Sequence, residues 1–308
     1  MSARNAAASS TACKPSWTVL TSLPINRSTP ILYYNKQRFR TAGIDPDKPP
    51  RTWNELRETA RKLTTDPVRS YGLALMSNAW VFEGVVFGAG GELLDQERKK
   101  ALFVTKGAVP LQRWADMIHR DKTARLGDRG SDFVNGAAAM FVDSNALLAA
   151  FEASAQNFEV GTGRLPCEEG QKPAVTLGGG AAIMPIELSP EKRRAAWAFL
   201  KWIMKTEQTA RFSQQTGYLP VRKSAVERLK VSGFYKQHPN FLTAVEQLEF
   251  AREAPPIPVW SSAWGPIGNA MTRCLKNDEP AEASLAVAAK QIERILSGNT
   301  AAKKKKSP

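Results

Sequence analysis

Histidine is nearly missing from this chain, with 2 in 308 residues, and cysteine is scarce at 3. His119 and His238 are therefore the only imidazoles available for acid–base work. His119 follows an amphipathic helix pattern and His238 sits in the loop KQHPN. No GxSxG, HExxH, Walker or dinucleotide fingerprint accompanies either one. Cys13, Cys167 and Cys274 lie far apart and form no CxxC. That excludes the usual spacing of a structural zinc site, and an odd count excludes a complete disulfide framework, though one pair stays open. No apolar run approaches the ~18–20 residues that span a bilayer. The opening MSARNAAASSTACKPSWTVLTS has no continuous apolar core, so no signal peptide is read there. Neither a metal site nor a cofactor site is expected.

What is present is ordinary for a globular protein: 43% hydrophobic and 23% charged residues. The net charge of +14 raises the question of nucleic acid or an anionic surface. Lys303 to Lys306 supply four of those charges at the C-terminus. The others are scattered among acids in helices such as PEKRRAAWAFLKWIMK, with no recognition-helix signature, so no nucleic-acid partner is expected. Acids are plentiful, and a glycosidase-type pair of carboxylates stays open, but nothing singles out two of them.

Apolar periodicity alternates between strand and helix along the chain, which predicts an α/β fold. STPILYYN reads as a covered strand, and Lys36 to Ala42 as a short helix stopped by Gly43. IDPDKPP cannot be helix, and Thr52 suits an N-cap with Glu55 as its capping-box partner. YGLALM is a strand, Trp80 to Phe87 a helix ending at the turn GAGGEL, and Gly107 to Asp121 another helix. AAMFVD and FEVGTGRLP read as strands, and TLGGGAAIM as a glycine-rich strand. Ser189-Pro190-Glu191 starts a helix strongly, and Gly217 closes a later one. A final amphipathic helix is expected over Ala281 to Leu296.

The aromatics Trp80, Tyr218, Trp260 and Trp264 fall at element ends or in loops containing Pro or Gly. Such residues often belong to a core or an ordinary surface. They equally fit a carbohydrate site, which needs flat aromatic plates beside amide, hydroxyl and carboxylate groups. Ser28, Asn78, Glu83 and Ser144 supply groups of that kind.

Taken in order, the segments NRSTPILYYNK, PPRTWNEL, WVFEGVVFGAGGE, FVNGAAAMFVDS, FEVGTGRLP, LGGGAAIM, SPEKRRAAWAFLKWI and TGYLPVRKSA resemble the extracellular solute-binding proteins of ABC importers. The pattern is that of the carbohydrate branch (family 1), nearest its sn-glycerol-3-phosphate-binding members. It runs from about Leu23 to Leu296. The resemblance implies a two-lobed periplasmic-binding-protein fold of type II with no catalysis. A sugar or glycerol-phosphate solute is captured in an interlobe cleft and delivered to membrane permease subunits, in the periplasm or at the extracellular face. A monomer is expected.

By position, the resemblance assigns ligand contacts to Ser28, Trp80, Ser144 with Asn145, Gly179 or Gly180, Tyr218 and, near the late stacking position, Trp264. Each also has a plainer reading. Ser28 could simply start a strand, and the glycines could only let two backbones approach. Residues 23–29 and 177–252 are expected to be what is present of the first lobe, and residues 30–176 and 253–298 the second. Residues 1–22 form an atypical lead and 299–308 a basic tail, both expected to be disordered. Because relatives carry more βα units before Leu23, the first lobe is expected to be incomplete, with a non-functional truncated remnant as the alternative and a carbohydrate-active enzyme behind it. Where glycerol-phosphate relatives place a phosphate-binding arginine, PPIPVWSSAWGPIGNAM offers tryptophans and no arginine, which leans toward a neutral or oligomeric sugar.

Overall fold

The computed structural model describes residues 23–127, 130–155, 157–182 and 188–304. The lead 1–22, Cys13, Ile183, Met184 and residues 305–308 lie outside the described residues. From Leu23 the order is β1 (Leu23–Pro24), β2 (Pro30–Asn35), α1 (Lys36–Thr41), α2 (Trp53–Leu63), β3 (Tyr71–Leu75), α3 (Ala79–Gly88), α4 (Phe103–His119), β4 (Ala124–Leu126) and α5 (Ser131–Val134). Next come β5 (Ala138–Ser144), α6 (Leu148–Ser154), β6 (Val160–Arg164), β7 (Val175–Thr176), β8 (Ala181–Ala182), α7 (Pro190–Ile203), α8 (Thr206–Thr216) and α9 (Lys223–Val231). The chain ends with α10 (Phe234–Gln237), α11 (Asn240–Glu246), β9 (Ala251–Arg252), α12 (Trp264–Asn277) and α13 (Ala281–Lys304).

Contacts divide the chain into two units. Among the described residues, unit 1 comprises 23–29, Ser144–Ala150 and Leu177–Glu249; unit 2 comprises Pro30–Asp143, Phe151–Thr176 and 250–304. The segment Ser144–Ala150, read from sequence as part of the second lobe, belongs to unit 1 because its backbone and the Asn145 side chain bond to Thr29 and Gly217. The chain re-enters unit 2 at Phe250, a little before the expected boundary.

Unit 2 is built on a five-stranded sheet in the order β4-β3-β5-β2-β6. β3 runs parallel to β4 and β5, the connections being helical, as parallel pairing requires. β2 runs antiparallel to β6, with Ile31 opposite Arg164 and Asn35 opposite Val160. All six residues of β2 are buried, which matches the unbroken apolar run PILYYN. α2 contributes Trp53, Leu56, Ala60 and Leu63 to the core, and Trp53 meets Trp114 of α4 edge-on at 5.2 Å. The capping box at Thr52 is formed: Glu55 N donates to Thr52 Oγ1 at 3.2 Å, and Glu55 Oε2 accepts from Thr52 N. α4 begins at Phe103, earlier than Gly107, and carries Pro110 inside it. α12 and α13 close the same core through Ile267, Met271, Leu285 and Ile292. α13 continues to Lys304, past the Leu296 end read from its apolar spacing.

Unit 1 holds the two-stranded antiparallel ladder β1–β8, with Leu23 opposite Ala182. Two single bridges flank the next stretch of chain: Arg27 with Leu219 and Ser28 with Gly178. The glycine-rich segment is therefore not one strand. Gly179 has φ +126 and breaks the extended run before β8 resumes it. Ser189 caps α7 and Gly217, at φ +95, ends α8, as local sequence dictates. α7 is the exception to an ordinary amphipathic helix, since Leu200 is its one buried residue while Trp197, Phe199 and Trp202 stand 43%, 56% and 46% exposed.

Candidate functional site

In unit 2 the expected contact Trp264, together with Trp260, is bonded to one buried acid on the helix that carries Trp80. α3 starts at Asn78, whose Oδ1 accepts from Trp80 N and Val81 N at 3.1 and 3.3 Å. Its sequence AWVFEGVVFG is apolar all round, so the helix is swallowed by the core. Only Trp80 reaches partway to the surface. Its indole nitrogen points inward and has no hydrogen-bond partner among the described residues.

Glu83, three positions further along α3, is fully buried. Its Oε1 accepts from Trp260 Nε1 at 2.7 Å and from Trp264 Nε1 at 2.8 Å. Its Oε2 accepts from Thr176 Oγ1 at 3.2 Å. Burial pushes the carboxyl above its ordinary range, against the opposing pull of those three donors. Trp260 is itself buried, whereas Trp264, the first residue of α12, is 44% exposed. The sequence counted Glu83 only among polar groups near the aromatics. Its central place could have been read from one signal: an acid alone in an otherwise apolar helix demands buried donors.

In unit 1 the remaining residues gather on the chain around Ser28. Ser28 is buried and exchanges both backbone hydrogen bonds with Gly178, at 3.1 and 2.8 Å. Asn145 is 1% exposed, and its side chain is committed at both ends: Oδ1 accepts from Thr29 N at 2.8 Å, and Nδ2 donates to Gly217 O at 2.5 Å. It therefore works as a staple between two segments, a role the resemblance did not indicate. Ser144 caps the following turn by accepting from Ala146 N at 3.1 Å. Gly180 N donates to Asn26 Oδ1 at 2.6 Å, and Gly179 lies so close to the Asn26 carbonyl that a Cβ would collide with it. Gly217 is likewise locked, a Cβ there striking Asn145 O. This fixes Tyr218, the next residue, whose half-buried ring stacks on Phe212 with centroids 5.7 Å apart. Arg222 stays exposed and donates to Met204 O at 2.8 Å.

Ser28, Ser144, Asn145, Gly179, Gly180 and Tyr218 thus belong to unit 1, and Trp80 and Trp264 to unit 2. Chemically, the first set offers backbone groups, hydroxyls and one phenol ring, and the second offers indole faces. Of the three thiols, Cys167 and Cys274 are free and buried, while Cys13 lies outside the described residues.

Residues 4–243 match the family described as bacterial extracellular solute-binding protein. The chain belongs to that family. The match begins at residue 4, ahead of the Leu23 at which motif order starts to be readable, because residues 4–22 carry no periodic apolar pattern. A match this broad does not favour the reading of a non-functional remnant. Among curated relatives, the sn-glycerol-3-phosphate-binding periplasmic protein UgpB of Rhizobium meliloti (strain 1021) is 33% identical over 252 residues, which is 76% of this chain and 57% of that protein. This solute-binding family member therefore spans a little over half the length of the curated relatives it matches. The crystal structure of UgpB from Mycobacterium tuberculosis in complex with glycerophosphocholine gives a TM-score of 0.82 at 28% identity, covering 91% of this chain and 72% of that one. The cyclic alpha-maltosyl-1,6-maltose binding protein from Arthrobacter globiformis gives 0.73 at 26%, covering 90% and 72%. The α/β architecture of this family member is that of the two-lobed solute-binding fold, in part.

Proposed function

We propose that this chain is the substrate-binding component of an ABC importer, taking a sugar or glycerol-phosphate-type solute and passing it to membrane permease subunits without chemical change. Family membership supports the class. The observation that carries the solute reading is Trp264, an indole 44% exposed whose ring N–H is tied to the buried Glu83. A ring held in that way offers a flat apolar face, as a pyranose ring or glycerol chain requires. Trp80 supplies a second indole in unit 2, while Ser28, Ser144, Gly179, Gly180 and Tyr218 supply polar and stacking groups from unit 1. Asn145 positions two of those segments and need not touch the solute. In this reading ligand binding favours one conformation through its differential contacts, and the permease selects that conformation.

Calorimetric titration with maltose, glycerol 3-phosphate and glycerophosphocholine tests the proposal. Saturable binding of at least one is expected, weakened about tenfold or more by Trp264→Ala, as befits a stacking anchor. Absence of binding to all three overturns it.

A further inference from the structure

We infer that Glu83 is a positioning residue of the binding site, holding the Trp264 indole as a rigid plate that reads its ligand by the ring face alone. The inference rests on the solute-binding reading and assigns a role to a side chain that the resemblance did not mark.

A half-exposed tryptophan on the first turn of a helix has several rotamers open to it. Trp264 gives up that freedom because its N–H reaches a fully buried oxygen at 2.8 Å. The same oxygen also accepts from Trp260 Nε1 at 2.7 Å, so the two indoles are fixed together. Fixing the plate before the ligand arrives removes an ordering cost from the binding step. It also removes a donor. With its N–H turned inward, Trp264 cannot hydrogen-bond a solute hydroxyl, and neither can Trp80, whose nitrogen is buried too. Selection at these plates is therefore for a C–H face or a cation over the ring, and hydroxyl or phosphate recognition falls to other groups.

The donor set fits an acid in either protonation state. Two N–H groups converge on Oε1, which a neutral carboxyl satisfies as its carbonyl oxygen. Thr176 Oγ1, on Oε2 at 3.2 Å, can accept a hydrogen bond from a protonated Oε2 as well as donate one to an ionised Oε2. A glutamine meets the same demands: its oxygen accepts from both indoles and its amide donates to Thr176. Leucine meets none of them. Thr176 is moreover the last residue of unit 2 before the chain passes to Leu177, so the carboxyl ties the indoles to the strand that leaves this unit.

The experiment compares Glu83→Gln and Glu83→Leu, each with Trp264 present and with Trp264→Phe. Without ligand, the emission of Trp264, taken as the difference between paired proteins, is titrated with acrylamide. Glu83→Leu is expected to raise quenching of that component about twofold while Glu83→Gln leaves it unchanged, because only leucine removes the acceptor. With maltose, glycerol 3-phosphate or glycerophosphocholine, Glu83→Leu is expected to weaken binding about tenfold when Trp264 is present but less than about twofold in the Trp264→Phe background, the coupling that a double-mutant cycle isolates. Equal losses in both backgrounds, or unchanged quenching, overturn the inference. Should Glu83→Leu not fold, Glu83→Met removes the oxygen acceptor with an unbranched side chain of nearly the same length, and loosening of Trp264 is again expected, with no loosening counting against the role. If the wild-type chain binds none of maltose, glycerol 3-phosphate and glycerophosphocholine, the solute reading fails and the quenching arm alone decides the clamp.

Discussion

Glu83 shows what a single carboxyl does to the pH response of this fold. Its folded-state value is raised, chiefly by burial, from an ordinary value of 4.5. A raised carboxyl favours the folded state at low pH, and that contribution is lost as pH climbs from about 4.5 through the raised value, since the unfolded state ionises first. Wild-type stability measured against Glu83→Gln should therefore fall across that window and level off above it, a trend that melting temperatures of the two proteins would display. A difference that grows with pH would show that the three donors outweigh burial. Neither this nor the staple role of Asn145 was legible in the sequence. An asparagine after a strand looks like any turn residue, and only the approach of Thr29 and Gly217, more than 70 residues away on either side, gives its amide two buried partners.

Elements were legible where their signals are local. Thr52 and Glu55 cap each other across one turn, Ser189 and Pro190 open α7, and Gly43 and Gly217 take positive φ where helices stop. Thr52→Ala should cost about 1 kcal/mol, read from the urea midpoint, because it leaves Glu55 N without its side-chain acceptor at the helix start. Glu55 retains its 2.6 Å bond from Arg51 N, so the loss stays near one cap interaction. Strands β4, β7 and β9 were not legible. They are two or three residues long, and neighbours far along the chain define them: β7 pairs with β9 in parallel through Val175 opposite Ala251. The glycine run 178–180 misled for a related reason. Composition permits a strand there, but the close backbone of Asn26 imposes a left-handed turn at Gly179. The candidate site was legible in its aromatic and backbone members through resemblance to a known pattern, while the acid organising the tryptophans required three-dimensional proximity to be seen.

At the scale of the molecule, unit 2 has a sheet covered by helices, whereas α7 of unit 1 leaves Trp197, Phe199 and Trp202 more than 40% exposed. Grouped exposed aromatics bind hydrophobic dyes and promote association. Replacing Trp197 and Trp202 by glutamine should abolish most dye fluorescence and flatten any concentration dependence in sedimentation, while shifting stability by less than about 0.5 kcal/mol, as surface changes do. A large drop in stability would mean that these rings pack in solution. The two buried thiols offer an independent gauge. Cys274 is sealed between α12 and α4, and burial, with the nearby Asp278 and Asp116 carboxylates, pushes its thiol up to about 12. A thiol reagent at neutral pH thus finds no nucleophile there until the helices part. Its rate of capture is a clock for transient opening of unit 2, built into the protein and needing no label.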